Sequence, residues 1–264
     1  MTHAGGTAGT DLSGTRALIT GGTSGLGLAM ATALAEAGAT VLVTGRDAAR
    51  AGEAAARLPG AAGLALDVRD ETSVAAAVER AWSELGGLDL LVNNAGIGMR
   101  TVNPRFMIEP QGFWRVSPAG FRAVIDTNLT GYFLVAREVA PRMLDAGGGR
   151  IVNISANLST MTRQGFVPYG PSRAGAEALS RVMAADLLGT PVTVNILLPG
   201  GVTETGMLPA EHRPAGLQAA DPAVMGPPIV WLASPAADGV HDERIVATEF
   251  EAWLTRTADR GRPG

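Results

Sequence analysis

The chain of 264 residues is long enough for one sizeable α/β domain, since 46% of its residues are hydrophobic and only 17% are charged. Its formal net charge of −4 and pI near 5.4 give no basic surface for nucleic acid, and the absence of cysteine excludes disulfides and thiolate chemistry. No apolar run approaches the roughly 18 residues of a membrane span, and residues 1–15 have no signal-peptide features, so we expect a cytoplasmic protein.

Apolar strands alternate with amphipathic helices along the chain. The predicted strands cover residues 16–20, 41–44, 63–66, 88–92, 150–154, 192–198 and 245–246, and helices are predicted at 26–37, 48–58 and 72–85. The strands are continuously apolar, which is typical of a sheet covered on both faces. The pattern predicts an α/β fold: a single-domain, Rossmann-like, doubly wound parallel sheet with helices on both faces.

A glycine-rich turn, Thr20-Gly-Gly-Thr-Ser-Gly-Leu-Gly27, directly follows the first strand and opens the first helix. Glycines permit a tight turn and a close approach of the backbone to a pyrophosphate. The N-terminus of the helix supplies N–H donors and a positive dipole. The spacing, Gly-x-x-x-Gly-x-Gly, differs from the more general Gly-x-Gly-x-x-Gly. In its strand–turn–helix context the turn indicates a dinucleotide site.

Tyr169 and Arg173 stand four residues apart, so a helix would place both on one face. Pro171 and Ser172 between them suit the first turn of a helix. A nearby cation favours the phenolate form, which makes Tyr169 a candidate general acid/base. For an isolated pair, a surface tyrosine beside a surface arginine is the alternative, and the upstream motifs decide between the two.

These motifs together resemble the short-chain dehydrogenase/reductase family, over residues from about 14 to at least 207. In chain order the matching motifs are the glycine turn, Asp67, Asn93-Asn-Ala-Gly96, Asn128, Tyr169-x-x-x-Arg173 and Pro199-Gly-Gly-Val202. The resemblance implies an enzyme of small-molecule substrates, a homodimer or homotetramer, with one domain over residues 14–264 after a flexible arm at 1–13.

The resemblance also implies where a dinucleotide cofactor would bind. The implied residues are Gly21, Thr23, Ser24, Gly25, Leu26 and Gly27 at the pyrophosphate, Asp67 and Val68 at the adenine, Asn94, Ala95 and Gly96 along the cleft, and Pro199, Gly200 and Val202 at the nicotinamide end. The segment 93–96 has the alternative role of a turn that stabilises the end of a strand. No carboxylate or histidine cluster suggests a metal.

The end of the second strand bears on the choice between NADP(H) and NAD(H). An acidic residue there would accept hydrogen bonds from the ribose 2′-hydroxyl of NAD and repel a 2′-phosphate. Thr44 and Gly45 occupy this region, and Arg46 can pair with a phosphate bidentately. The sequence therefore favours NADP(H), although Arg46 has the alternative of a solvated loop cation and Asp47 beside it argues the other way.

The catalytic residues implied by the resemblance match only in part. In the family, a Tyr exchanges a proton with the substrate oxygen, a Lys four residues later holds the nicotinamide ribose, a Ser about 13 residues earlier steadies the substrate oxygen, and a helical Asn sustains a water relay. Tyr169 and Asn128 match, whereas Arg173 replaces the Lys and Ala156 replaces the Ser. Because all 21 basic residues of this chain are Arg, Ala156 is the stronger departure.

Three residues near Ala156 are candidates to supply the missing hydrogen-bond donor: Ser155, Asn157 and Ser159. Ser155 is one residue out of register, and on a strand its side chain would point to the opposite face. Loss of an oxyanion donor costs about 10²–10³ in rate, so this position decides how well the chain performs redox chemistry.

Two segments of the domain would shape the substrate site. Residues 99–121 form an apolar insertion with Met99, Met107 and four aromatic residues, which suits a bulky apolar substrate. A small core of its own or a subunit contact is the alternative. Residues 203–228, rich in Gly, Pro and Ala, resemble the mobile substrate lid of the family. His212 and His241 have no partner motif, so we expect ordinary surface or core roles for them.

The main hypothesis is an NADP(H)-dependent carbonyl reductase or alcohol dehydrogenase with Tyr169 as proton donor or acceptor, acting on a bulky apolar substrate of secondary metabolism. One alternative is a non-redox relative, a cyclase, isomerase or dehydratase, in which Tyr169 moves a proton and the cofactor is structural or absent. Another is a binding subunit that keeps the fold without turnover.

Overall fold

Seven parallel β-strands form one sheet in the spatial order β3-β2-β1-β4-β5-β6-β7, in a computed structural model that describes residues 10–209 and 211–260. The strands are β1 (Arg16–Ile19), β2 (Thr40–Gly45), β3 (Ala62–Ala65), β4 (Leu90–Asn93), β5 (Gly149–Ile154), β6 (Val192–Leu198) and β7 (Arg244–Val246). The helices are α1 (Gly25–Glu36), α2 (Ala48–Ala55), α3 (Glu71–Leu85), α4 (Pro118–Ile125), α5 (Gly131–Asp145), α6 (Leu158–Met161), α7 (Tyr169–Asp186), α8 (Gly226–Ala233) and α9 (Phe250–Arg260). The predicted fold class is confirmed.

Both faces of the sheet are buried under helices, which explains the continuously apolar strands. Leu18, Leu42 and Leu91 face a core shared with α3, α5 and α7. The neighbouring residues Ile19 and Val43 face a second core shared with α1, α8 and α9. Successive side chains of a strand point to opposite faces, so consecutive apolar residues in a strand each have a core to pack against.

The order of the strands reverses at β1, and this reversal positions the site. Ile19 pairs with Val43 of β2 on one side and with Val92 of β4 on the other. The connections from β1 and β4 therefore leave the sheet in opposite directions, and a crevice opens at the carboxyl ends of the two strands. The glycine turn, Asp67 and the segments 93–96 and 199–202 all follow the carboxyl end of a strand, whereas Asn128 and Tyr169 lie in helical segments.

Two segments that the sequence set apart are irregular in the structure. Residues 99–121 contain short 3₁₀ turns at Met99–Thr101 and Phe113–Arg115 before α4 begins. Residues 203–228 consist of turns, an isolated bridge between Thr203 and Ala220, a 3₁₀ turn and the start of α8; residue 210 is outside the described residues. Their roles as insertion and lid stay predictions.

Only residues 10–13 of the predicted N-terminal arm belong to the described residues. Within them Leu12 is buried in the core, and its N–H donates to the carbonyl of Ala37. The packed part of the domain thus begins by Leu12, slightly earlier than the predicted boundary at 14.

Over residues 10–209 and 211–260, no helix has the length and hydrophobicity needed to cross a membrane. In the same part of the chain, no three His, Asp or Glu side chains come together as potential metal ligands.

Candidate active site

A cavity of about 780 Å³ lies along the carboxyl ends of the central strands. It brings together most residues that the sequence singled out. The predicted residues that line it are Gly21, Thr23, Ser24, Gly25, Leu26, Gly27, Arg46, Asp67, Val68, Asn94, Ala95, Gly96, Tyr169, Arg173, Pro199 and Val202. Asn128 and Gly200 are the two that do not line it.

The glycine turn has the geometry of an anion site. Gly21 and Gly25 have φ values of +65° and +55°, in the region that favours glycine. A Cβ on Gly21 would stand 2.8 Å from the Cα of Ala95, so only glycine lets the two loops approach. Ser24 occupies the N-cap position before α1, but its side chain makes no capping hydrogen bond, and the first turn holds no acidic residue. The N–H groups there are left for an anionic ligand, and this arrangement fits the pyrophosphate of a dinucleotide.

Hydrogen bonds between Thr20 and Asn94 hold the glycine turn against the loop after β4. The Thr20 hydroxyl accepts from the N–H groups of Asn94 and Ala95, both at 3.0 Å. The Asn94 side chain donates to the carbonyls of Thr20 and Gly21 at 2.9 and 3.1 Å. The motif at 93–96 therefore does stabilise the end of a strand, and it also lines the cavity. The two readings of this motif are compatible.

Two charged residues follow the end of β2: a cation that lines the cavity and a carboxylate that caps the next helix. Arg46 is exposed and lines the cavity. Asp47 caps α2, with its carboxylate accepting from the N–H groups of Ala49 and Arg50. In the sequence, Asp47 argues against NADP(H). The structure gives this acid another role, because its carboxylate accepts hydrogen bonds from the N-terminus of α2.

Asp67 follows β3 at the predicted adenine end of the cavity. Its carboxylate accepts from the guanidinium of Arg69 at 2.6 and 2.9 Å. This hydrogen-bonded pair holds the pKa of Asp67 below its ordinary value, against the opposing effect of partial burial. The side chain therefore stays an ionised acceptor.

Tyr169 and Arg173 lie on one face of α7, as the spacing predicts. Tyr169 is the first residue of the helix, and Arg173, one turn later, is buried with only 3% of its surface exposed. The guanidinium carbon lies 5.3 Å from the centre of the Tyr169 ring. Burial excludes the alternative of a surface pair.

Arg173 is held by groups on two other elements. Its Nη1 donates to the hydroxyl of Tyr132 at 2.8 Å and to the carbonyl of Ile154 at 3.0 Å. Burial disfavours its charge, but the oxygens of Tyr132 and Tyr169 outweigh burial and raise its pKa, so the side chain remains a cation. A Cβ on Gly96 would stand 2.5 Å from its Nη2, which explains the glycine at that position.

Asn128 lies behind the cavity wall rather than on it, in the π-helical turn Asp126–Thr130 between α4 and α5. Its side-chain oxygen accepts from the N–H of Ile97 at 2.8 Å, and its amide donates to the Ile97 carbonyl and to the Ser172 hydroxyl at 3.0 and 3.1 Å. The Ser172 hydroxyl in turn donates to the Tyr169 carbonyl at 2.7 Å. Asn128 thus connects the loop after β4 to the first turn of α7.

Ala156 lines the cavity, and the neighbouring serine is turned to another partner. The Ser155 hydroxyl donates to the carboxylate of Glu177 at 2.6 Å, and that carboxylate also accepts from Arg244. A second nitrogen of Arg244 donates to the carbonyl of Ala156 at 3.0 Å. This network fixes the register after β5 and occupies the Ser155 hydroxyl.

The other two candidates for the missing donor differ in position. Asn157 lines the cavity, where its amide donates to the Gly200 carbonyl at 2.9 Å. Ser159 is exposed and does not line the cavity. Gly200, which the resemblance assigns to the cofactor, does not line the cavity. Its φ of +98° and the nearby Thr248 hydroxyl, 2.0 Å from where a Cβ would lie, favour glycine at this position.

The predicted apolar insertion divides between the cavity and the surface. Met99, Phe106 and Met107 pack with Phe166 and Leu208 in a small separate core, and all five side chains line the cavity. The Phe106 and Phe166 rings meet edge to face at 5.5 Å. By contrast, the exposed aromatic side chains of the segment are Phe113, Trp114 and Phe121. Met99, Phe106 and Met107 thus both form a small core and line the cavity, while a subunit contact through the exposed residues stays a prediction.

Sequence reasoning missed Tyr132 and Ser172. Tyr132 follows Asn128 by four residues, the same spacing that singled out Tyr169 and Arg173, so this signal was available. For Ser172 the sequence indicates only a residue that suits the first turn of a helix. His241 bonds the backbone of Val194 and Ala184, in agreement with an ordinary structural role.

Comparisons with known proteins agree on one family. A model of the short chain dehydrogenase family matches residues 15–215. A 3-oxoacyl-(acyl-carrier-protein) reductase of Vibrio harveyi is 32% identical over 246 residues, which cover 89% of this chain and 96% of the relative. A cis-4-hydroxycyclohexanecarboxylate dehydrogenase of Sinomonas cyclohexanicum is 36% identical over 239 residues, which cover 85% and 91%.

Solved structures give the same likeness. A gluconate 5-dehydrogenase from Burkholderia cenocepacia J2315, in complex with NADP and tartrate, has a TM-score of 0.80 and 29% identity, covering 92% of this chain and 97% of that chain. A 3-ketoacyl-(acyl-carrier-protein) reductase from Brucella melitensis, complexed with NADH, has a TM-score of 0.78 and 30% identity, covering 89% and 97%.

Proposed function

Because the chain belongs to the short-chain dehydrogenase/reductase family, we propose that it is an NADP(H)-dependent oxidoreductase that reduces a carbonyl, or oxidises the corresponding alcohol, on a bulky and largely apolar substrate. One observation carries this proposal: a single cavity holds an uncapped helix N-terminus, Tyr169 and the buried cation Arg173. The named relatives are dehydrogenases and reductases, which favours redox chemistry over the non-redox alternative.

Tyr169 exchanges the proton in this mechanism. When bound, the nicotinamide cofactor supplies or accepts the hydride. In the direction of reduction, the Tyr169 hydroxyl donates its proton to the substrate oxygen, and the charge of Arg173 stabilises the phenolate that remains. Asn128 and Ser172 keep the first turn of α7 against the loop after β4, so the phenol stays aligned with the cavity.

The preference for NADP(H) is supported by the charges at the end of β2. Arg46 lines the cavity, and the carboxylate of Asp47 is used by the N-terminus of α2. A 2′-phosphate would therefore meet the Arg46 guanidinium, while the neighbouring Asp47 carboxylate is already hydrogen-bonded to the N-terminus of α2. Among the similar structures, some hold NADP and one holds NADH, so this preference comes from the residues of this chain.

The proposed substrate class follows from the far end of the cavity. Met99, Phe106, Met107, Phe166 and Leu208 offer an apolar wall next to Tyr169. A wall of this kind stabilises a large apolar group by removing its surface from water. A bulky ketone fits this apolar wall better than a small polyol does. A ketone of secondary metabolism would be one substrate of this kind.

A homodimer or homotetramer is part of the proposal. Phe121 on α4, Phe133 on α5 and Val182 on α7 are large apolar side chains with 40%, 45% and 56% of their surface exposed. Contact between copies of the chain would remove these side chains from water. Size-exclusion chromatography with light scattering measures the oligomeric state of the protein directly.

The proposed function is tested by NADPH consumption with a panel of bulky ketones, comparing the protein with Tyr169→Phe. We expect the variant to bind NADPH within about threefold of the parent but to lose roughly 10²–10⁴-fold in kcat. Thr162→Ala is the matched control, because it removes a nearby hydroxyl that bonds only the Leu158 carbonyl. If NADPH binds but no ketone consumes it, while Tyr169→Phe abolishes a different conversion, the redox proposal is wrong.

A further inference from the structure

A second phenol lies against the active-site cation. The chain has two tyrosines, Tyr132 and Tyr169, and Arg173 is the residue that contacts both. Its guanidinium carbon lies 5.7 Å from the centre of the Tyr132 ring and 5.3 Å from that of Tyr169. Tyr132 is buried with 1% of its surface exposed, and its hydroxyl donates to the Ile154 carbonyl at 3.1 Å while it accepts from Arg173.

The hydrogen bonds of Arg173 are unevenly distributed over its three nitrogens. Nη1 has both of its partners, the Tyr132 hydroxyl and the Ile154 carbonyl. Nε is buried and has no partner among the described residues. Nη2 faces Gly96 and the cavity, and within residues 10–209 and 211–260 it makes no hydrogen bond. The planar group is therefore fixed at one end by Tyr132 and presents the other end to the cavity.

We propose that Tyr132 is a positioning residue that orients the Arg173 guanidinium, so that Nη2 points into the cofactor cleft and the charge stays beside the Tyr169 ring. The inference rests on the role of Arg173 in the proposed function. It follows from the shape of the side chain: a guanidinium bonds in fixed directions, so its usefulness at a site depends on what holds its plane. Phe at position 132 would keep the ring and lose the hydroxyl that sets this plane.

An ammonium group would not need this support. Lysine carries three donors that rotate about one nitrogen and has no plane to fix. The effect of Tyr132 should consequently depend on Arg at position 173 and should largely disappear in an Arg173→Lys background. This dependence distinguishes positioning from a purely structural role, which would act in both backgrounds.

The first test is a double-mutant cycle with Tyr132→Phe and Arg173→Lys. We expect Tyr132→Phe alone to lower kcat by about 10- to 100-fold, the usual loss for a hydrogen bond to a charged group. In the Arg173→Lys background we expect the same substitution to change kcat by less than about threefold. Ser180→Ala is the matched control: it removes a buried hydroxyl of α7 that bonds Asn153 and the Ala176 carbonyl, and kcat should stay within about threefold. Equal losses in the two backgrounds would overturn the proposal.

The second test does not require turnover. Because the chain has only two tyrosines, ¹³Cζ-tyrosine labelling gives two NMR signals, which Tyr132→Phe and Tyr169→Phe assign. We expect Tyr132→Phe to move the Tyr169 signal, and Arg173→Lys to move both, in protein without cofactor. Ser180→Ala should move neither. If Tyr132→Phe leaves the Tyr169 signal in place, Tyr132 does not orient Arg173, whatever the activity of the enzyme.

A different observation, the distribution of charge in the cavity, carries a second inference. The acidic side chains that line the cavity are Asp47 and Asp67, and both lie at the adenosine end with their hydrogen bonds made. At the substrate end, the Arg163 guanidinium lies 4.9 Å from the centre of the Phe166 ring and has no carboxylate partner among the described residues. The Phe166 ring in turn meets the Tyr169 ring edge to face at 6.4 Å.

We infer that the substrate carries a carboxylate on its apolar body, bound by Arg163. Arg100 adds a second positive charge to the same cavity, with its Nη1 on the Gly206 carbonyl. A guanidinium pairs bidentately with a carboxylate, and one aromatic ring separates Arg163 from Tyr169. The substrate class is thus a keto acid whose carboxylate is several carbons from its carbonyl. This inference rests on the proposed function and makes its substrate class narrower.

The test compares a bulky cyclic keto acid with its methyl ester, in the protein and in Arg163→Gln. We expect Arg163→Gln to raise KM for the acid about 10- to 100-fold with little change in kcat, and to change neither constant for the ester by more than about threefold. Arg105→Gln, which removes an exposed arginine paired with Glu109 outside the cavity, is the control.

Calorimetric binding of the matching carboxylic acid without the keto group, with NADP⁺ present, keeps the inference testable if neither compound is reduced. Weaker binding to Arg163→Gln supports it. The inference is overturned if Arg163→Gln changes KM equally for the acid and the ester, or if the carboxylic acid binds equally to the protein and to Arg163→Gln. The ketone panel above tests the redox proposal separately.

Discussion

Replacing Ala156 with serine tests whether this site lacks a hydrogen-bond donor. The side chain of Ala156 lines the cavity with Tyr169. The backbone there is fixed on both sides, because the Ser155 N–H donates to the Leu197 carbonyl at 2.9 Å and Arg244 holds the Ala156 carbonyl. A serine hydroxyl would therefore project from the position of the present methyl group, toward the space that a substrate oxygen would occupy.

The size of the effect follows from a single donor. A hydrogen bond to an oxygen that gains negative charge is worth about 1.5–3 kcal/mol, and each 1.4 kcal/mol in the barrier is roughly a factor of ten in rate. Ala156→Ser should thus raise kcat by about 10- to 100-fold. The measurement is steady-state NADPH consumption with a bulky ketone, and an unchanged Tm shows that the fold is retained.

Ser155→Ala is the matched control for this prediction. Its hydroxyl is bound to Glu177, so its loss should change kcat by less than about threefold. If Ala156→Ser leaves kcat within about twofold, the site already has its donor, and the reasoning from Ala156 is refuted. Asn157→Ala would then be the informative variant, because Asn157 lines the same cavity.

Three further predictions address the cofactor, the site scaffold and the acid stability. Arg46→Ala should raise the Kd of NADPH about 10- to 100-fold and that of NADH less than threefold by fluorescence titration; equal losses would contradict a 2′-phosphate contact. Asn128→Ala should lower the free energy of unfolding by about 1–3 kcal/mol, because it leaves the backbone N–H and carbonyl of Ile97 without their side-chain partner; an unchanged urea midpoint would contradict it. Partial burial raises the pKa of Asp89, but hydrogen bonds from Arg16 outweigh burial and place this pKa below its ordinary value. The ionised carboxylate therefore stabilises the fold above about pH 4, and this stabilisation is lost as the pH falls through the lowered pKa. Asp89→Asn should therefore flatten the loss of stability below about pH 4, and an unchanged loss would refute this assignment.

The sheet could be predicted because its strands follow a rule that needs no tertiary knowledge. Runs such as 41–43 and 196–198 are apolar at every position, which is typical of a strand covered on both faces. The convergence of Asp67, Asn94 and Tyr169 was also predictable, since the carboxyl ends of parallel strands meet at one edge. The cap formed by Asp47 could also have been predicted, because an acid directly before a helix is a usual N-cap.

Contacts that cross between elements could not be predicted in the same way. Periodicity does not tell which of Met99, Phe106, Phe113 and Trp114 turn inward, because a cavity wall and an exposed surface can consist of the same residue types. The partner of Ser155 depends on where α7 brings Glu177 against β5. Spacing therefore identifies the elements and the helix faces, while the hydrogen-bond partner of each side chain comes from packing.

Arg173 illustrates the consequence for reading departures from a family pattern. Considered alone, Arg173 in place of the family's lysine suggests weaker catalysis, since a guanidinium is larger than an ammonium and bonds only in its plane. The structure shows what the plane rests on: a buried phenol from α5 and a carbonyl at the end of β5. The bulk is accommodated because position 96 is glycine, with Nη2 2.5 Å from where a Cβ would be. Ala156 has no comparable partner, since its serine neighbour is already bound elsewhere. We therefore expect an arginine with its own support to serve as a working variant of the site, and any loss of activity in this chain to come from position 156.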